Sequence, residues 1–126
     1  MSEDPVAGWH AFVARRDPAL LDALLADDVV FRSPAVHRSQ EGRAVTARYL
    51  TAAMQVLGTA DFRYTGEWRT ERSVVLEFRT ELDGLEVHGI DMIDWDEDGR
   101  IAAFTVMVRP LKALNAVVAH MAAALA

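Results

Sequence analysis

Apolar residues recur at helical spacing at both ends of the chain and alternate strictly through the middle. Over residues 4–16, Val6, Trp9, Phe12 and Val13 share one face of a helix that Asp4 can cap and Pro5 can open. Asp17-Pro18 starts a second helix, with Leu20, Leu21, Leu24 and Leu25 as its stripe and Asp27-Asp28 as its stop. Residues 29–33 read as a short strand broken by Pro34, and 35–42 as a loop. A helix over 43–57 follows, with Val45, Tyr49, Ala52, Ala53, Val56 and Leu57 as its apolar positions and Gly58 as its end.

Beyond Gly58 the period drops to two. Strands are predicted over 61–69, 73–82, 85–95 and 100–109. Asp83-Gly84 is a hairpin turn and residues 96–99 a longer one. Helical spacing returns over 111–125, where Leu111, Leu114, Val118, Met121 and Leu125 fall on one side. Helices gathered ahead of an antiparallel meander, with no βαβ alternation, give an α+β fold. The expected form is a cone-shaped roll: three N-terminal helices on a curved, mostly antiparallel sheet, plus a C-terminal helix.

Alternation sorts the strand residues into two faces. Val74, Leu76 and Phe78, then Val87, Gly89, Asp91 and Ile93, then Ala102, Phe104, Val106 and Val108 form a nearly pure apolar face, placed under the helices. The opposite face mixes Glu77, Arg79, His88, Asp94 and Arg109 with Val75, Ile90, Met92 and Met107. That mixture suits contact with a second copy of the chain better than solvent, so the expected partner is a homodimer mate on the outer sheet face. Asp91 is the one ionisable group on the inner face. Desolvation there disfavours its charge, so it must be paired, protonated or functional.

With 126 residues the chain is sized for one domain, taken as 1–126. A net charge of −6 argues against a nucleic-acid partner. No cysteine is present, which excludes disulfides and cysteine-based zinc sites and fits a cytoplasmic location. The acidic start of the chain lacks an apolar signal core, and no apolar run approaches membrane-spanning length. His10, His37, His88 and His120 show no metal-ligand spacing, and Asp94, Asp96, Glu97 and Asp98 form a solvated turn rather than a calcium loop. No metal and no cofactor are expected.

The string from Asp17 to Pro34, Gly42-Arg43 opening a helix, and Gly89-Ile90-Asp91 followed by the segment from Asp94 to Ile101 resemble the nuclear transport factor 2-like superfamily. The SnoaL-like and ketosteroid isomerase-like members are the best match. The resemblance covers nearly the whole chain and implies a small-molecule site inside the cone. It also implies that Asp91 stands where ketosteroid isomerases keep an oxyanion-binding aspartate. Ser33 stands at the position of their catalytic base, and Trp9 at that of their oxyanion tyrosine. A hydroxyl of ordinary acidity cannot take an α-proton at neutral pH, so that isomerase mechanism is not expected.

The expected ligand is a small apolar or weakly polar organic molecule. It would be held by Trp9, Phe31, Ser33, His37, Tyr49, Asp91, Phe104, Val106 and Val108, with Trp9 and Tyr49 as the aromatic residues that reach it through polar tips. Binding without assigned catalysis is the first reading. The alternative is a cyclase, isomerase or hydrolase acting on a polyketide-, terpenoid- or steroid-like substrate with Asp91 as acid/base. Ser33 and His37 lack the nucleophile-elbow context of a serine hydrolase.

Overall fold

The computed structural model describes residues 4–126. The chain runs α1 (Pro5–Arg15), α2 (Pro18–Leu24), β1 (Leu25–Arg32), β2 (Gln40–Glu41), α3 (Arg43–Leu57), β3 (Arg63–Arg69), β4 (Ser73–Leu82), β5 (Leu85–Trp95), β6 (Ile101–Arg109) and α4 (Leu111–Leu125). The six strands form one sheet in the order β2-β1-β6-β5-β4-β3, antiparallel except for the β1–β6 pair. The α+β architecture is the one the periodicities predict.

Local chemistry sets most boundaries. Asp4 Oδ1 accepts from the Val6 amide at 3.1 Å and Asp17 Oδ1 from the Ala19 amide at 3.0 Å, each ahead of a proline at the first helical position. Asp83 and Gly84 both take positive φ (53° and 75°), the two-residue hairpin geometry that suits the twist of the flanking strands. Gly58 ends α3 for a different reason from a left-handed turn. The Arg16 guanidinium lies where a Cβ would sit, donating to the carbonyls of Met54 (3.1 Å) and Gly58 (2.6 Å), so a side chain of α1's exit caps α3.

Four expectations need correction. The second helix stops at Leu24, and β1 begins at Leu25, whose backbone is already extended. Leu25 is fully buried as a strand residue rather than a helix one. The loop 35–42 contains the short strand β2, which pairs with Val30 and Phe31. In α4 the buried positions are Ala113 and Val117, whereas Leu111 is 72% exposed. An alanine-rich helix carries little bulk to fix its own face, so docking on α3 and the sheet selects it. In β3 an extra residue opposite Glu77 shifts the register between Tyr64 and Gly66. This bulge leaves Tyr64 on the inner face opposite Phe78 and turns Trp68 to the outer face opposite Val75. Unbroken alternation over 61–69 would put Tyr64 and Trp68 on one side.

The inner sheet face and helices α1–α4 enclose a single core cluster in which Trp9, Phe12, Leu76, Phe78, Ile93 and Phe104 are essentially fully buried. Further register shifts in the β1–β6 and β5–β6 pairs accompany the curvature that makes room for it. Gly89 contributes as well, because a Cβ there would run into the Phe78 ring and the Met107 carbonyl.

A candidate ligand site with a buried carboxyl

Two chambers open under the sheet. The inner one, about 30 Å³, lies among Trp9 of α1, Met54 of α3, Phe78 of β4, Asp91 of β5 and Phe104 of β6. The outer one, about 180 Å³, lies between β1, α3, β6 and α4 and includes Phe31, Ser33, Tyr49, Val108 and Met121. Ala53, Leu57 and Val106 belong to both and form the wall between them.

Asp91 sits on the inner face opposite Leu76 and Val106 and is 6% exposed. Its Oδ2 accepts a hydrogen bond from the Tyr64 hydroxyl at 2.7 Å, and that hydroxyl accepts one from Trp9 Nε1 at 2.8 Å. The chain Trp9–Tyr64–Asp91 thus spans α1, β3 and β5. Burial pushes the Asp91 carboxyl up to about 7, and the Tyr64 hydrogen bond offsets part of that rise. Burial, then the neighbouring carboxylate, pushes the Tyr64 phenol well above its ordinary value, so it remains a donor. Tyr64 and Trp9 spend their hydrogens within this chain of bonds, and Asp91 is the ionisable residue lining the inner chamber.

The predicted residues fall into two groups and one outlier. Trp9, Asp91 and Phe104 line the inner chamber, Phe31, Ser33, Tyr49 and Val108 the outer one, and Val106 both. His37 belongs to neither. It lies in a shallow surface groove with Arg32 and Ser39, because the loop after Pro34 carries it outward. Ser33 Oγ accepts from the amides of Ala35 (3.0 Å) and Val36 (3.3 Å), so it braces the loop at the mouth. Tyr49 packs against Phe31 with ring centroids 5.6 Å apart.

Tyr64 is the residue that sequence reasoning missed. It reads as one more core aromatic in an alternating strand, and its partner is 27 positions away. A signal was present, since a buried carboxyl requires a donor and a phenol on the neighbouring apolar face can supply one. Among the described residues, no group of three or more His, Cys, Asp or Glu side chains is placed to hold a metal ion. No helix there is long and apolar enough to cross a membrane.

Known proteins share this fold. The chain is similar to a steroid delta-isomerase of Pseudomonas aeruginosa at 42% identity, covering 94% of this chain and 87% of that one with a TM-score of 0.89. An uncharacterised cystatin-like protein of Silicibacter pomeroyi shares 34% identity over 94% of this chain and 83% of its own (TM-score 0.87). A SnoaL-like polyketide cyclase from Shewanella denitrificans shares the fold at 13% identity, covering 91% and 95% of the two chains (TM-score 0.69). No curated protein matches the sequence. The model of the SnoaL-like domain matches residues 6–104, from the first helix through the strand that carries Phe104. With that span containing both the buried carboxyl and its tyrosine partner, the chain belongs to the SnoaL-like domain family.

Proposed function

We propose that the protein binds a small, largely apolar molecule, with Asp91 meeting its one polar group. The observation that carries this reading is composition. Across both chambers Asp91 is the only ionisable carboxylate, and Trp9, Ser33 and Tyr49 supply the remaining polar side chains. With its carboxyl near neutrality, Asp91 donates to a carbonyl oxygen when protonated and accepts from a hydroxyl when ionised. Asn at this position keeps the donor, and Leu removes it. Isothermal titration with a cyclic ketone should therefore show affinity retained in Asp91→Asn and lost in Asp91→Leu. Equal affinity for all three proteins would refute the role of Asp91.

A second reading, an isomerase or cyclase using Asp91 as acid/base, is favoured by the 42% identity to a protein named as a steroid delta-isomerase. Against the ketosteroid isomerase route, Ser33 occupies the base position and its oxygen already accepts two backbone amides. Deuterium exchange at the α-carbon of a bound ketone tests it: exchange lost in Asp91→Asn supports catalysis, and no exchange in the wild type removes it.

The same reading includes a homodimer through the outer sheet face. Trp68, Val75, Met92, Ile90 and Met107 form an apolar band there, with Trp68 59% and Met107 51% exposed. Arg63, Arg79, His88 and Arg109 stand in register along one side of the band and Asp94 on the other. A two-fold axis through the band would bring the basic row of one copy toward the acidic side of its mate.

A further inference from the structure

The two chambers differ in size and in chemistry, and they share three lining residues. The outer chamber, about 180 Å³, is lined almost wholly by apolar side chains. A dry apolar cavity of roughly 150 Å³ holds a single benzene ring, so the outer chamber matches one ring and its substituents. The inner chamber, about 30 Å³, has room for an oxygen-bearing group and not for a ring. Its ionisable group is the Asp91 carboxyl, with the Tyr64 hydroxyl and Trp9 Nε1 committed to the bonds behind it. Ala53, Leu57 and Val106 line both chambers, so a molecule that occupied both would lie against all three.

Those three residues come from two elements, α3 and β6. Ala53 and Leu57 lie one turn apart on α3, and the carbonyl of Leu57 accepts from the Thr80 hydroxyl of β4 at 3.2 Å. Val106 stands directly opposite Asp91 on β6. The space between a helix held to the sheet and the sheet itself cannot widen without loss of core packing. Its width is therefore set by side-chain size, and Ala53 is the smallest of the three.

We infer that Ala53, Leu57 and Val106 form a size-selecting neck, and that the ligand is a one-ring apolar molecule whose single oxygen reaches Asp91 through it, rather than a multi-ring steroid. The inference rests on the proposed role of Asp91 as polar anchor and narrows the ligand class for that site.

Ligand-observed NMR titrations of the full chain with cyclohexenone, decalone and androstenedione test it. The wild type should bind cyclohexenone tightest, with affinity falling about tenfold or more on going to the four-ring ketone. Ala53→Leu, which fills the neck, should cut cyclohexenone affinity by about tenfold, with near-ultraviolet circular dichroism reporting the fold. Ala53→Val, a smaller step, should give an intermediate loss and serves if the leucine variant does not fold. Val106→Ala should flatten the ranking by admitting the larger ketones. Androstenedione binding the wild type as tightly as cyclohexenone, or folded Ala53 variants binding cyclohexenone unchanged, would overturn the neck while leaving Asp91's role intact. Binding that is the same in Asp91→Leu as in the wild type would instead overturn the anchor on which the neck depends, and no binding of any of the three ketones would overturn both.

Discussion

Asp91 makes the stability of the protein depend on pH in a direction opposite to that of an ordinary surface carboxylate. The folded state holds its proton up to about 7, whereas an unfolded chain releases it near 3.8. Across that window the native state binds more protons than the unfolded one, so stability falls as pH rises and levels off above it. The full effect is at most about 4 kcal/mol. Asp91→Asn should therefore melt at a higher temperature than the wild type at pH above neutrality, with the difference shrinking toward acid. Thermal melts across the pH range check this, and parallel curves for the two proteins would contradict it. Tyr64→Phe should move the wild-type window further up by removing the bond that offsets burial. It should also cost roughly 1–3 kcal/mol, because Trp9 Nε1 and Asp91 Oδ2 each lose a partner. Carboxyl carbon NMR reads the first effect and denaturant unfolding the second.

At the scale of elements, β5 controls the depth of the site. Gly89 lets the Phe78 ring lie against the sheet beside Asp91, and Phe78 stacks in turn on Phe62 with centroids 5.5 Å apart. Gly89→Ala should push that ring into the inner chamber and destabilise the fold by roughly 1–3 kcal/mol through overpacking. A loss well under that range, measured by urea unfolding, would mean that the ring has another place to go. The helices answer to the same logic. Arg16 caps the end of α3 from the turn after α1, and His120 of α4 reaches Asp83 in the β4–β5 hairpin at 2.9 Å. One helix of the outer chamber is thus tied to the turn after α1 and the other to the β4–β5 hairpin. Element boundaries were readable wherever a capping aspartate, a proline or an Asp-Gly pair marks them. The boundary was misread at Leu25 and the buried face, though not the ends, in α4, because leucine or alanine runs suit more than one arrangement and only docking chooses.

For the whole molecule, the distribution of apolar surface matters more than its amount. Hydrophobic residues make up 52% of the chain, and those on the inner face are spent on the core and the chambers. The band of Trp68, Met92 and Met107 is left on the outside. If that band is the seam of a homodimer, Met107→Glu should shift sedimentation from dimer to monomer at micromolar concentration. Binding to the chambers would be unaffected, since Met107 faces away from them. A wild type that sediments as a monomer would remove the seam from the picture. The bulge in β3 matters here too. By turning Trp68 outward and keeping Tyr64 inward, it serves both faces of the sheet from one strand.

The sequence alone determined the order and type of the elements apart from the short strand β2, the division of β4, β5 and β6 into two faces and the isolation of Asp91 on the apolar one. These depend on spacing of two or of three to four residues and on turn chemistry, which are local properties of the chain. Only the tertiary structure decided what Asp91 touches. Tyr64 reaches it from a bulged strand, with Trp9 of a distant helix bonded to Tyr64 in turn, and a one-residue bulge reverses the facing of every side chain beyond it. The neck, the two chambers and the exclusion of His37 depend on the same long-range packing, which sets distances that periodicity does not encode.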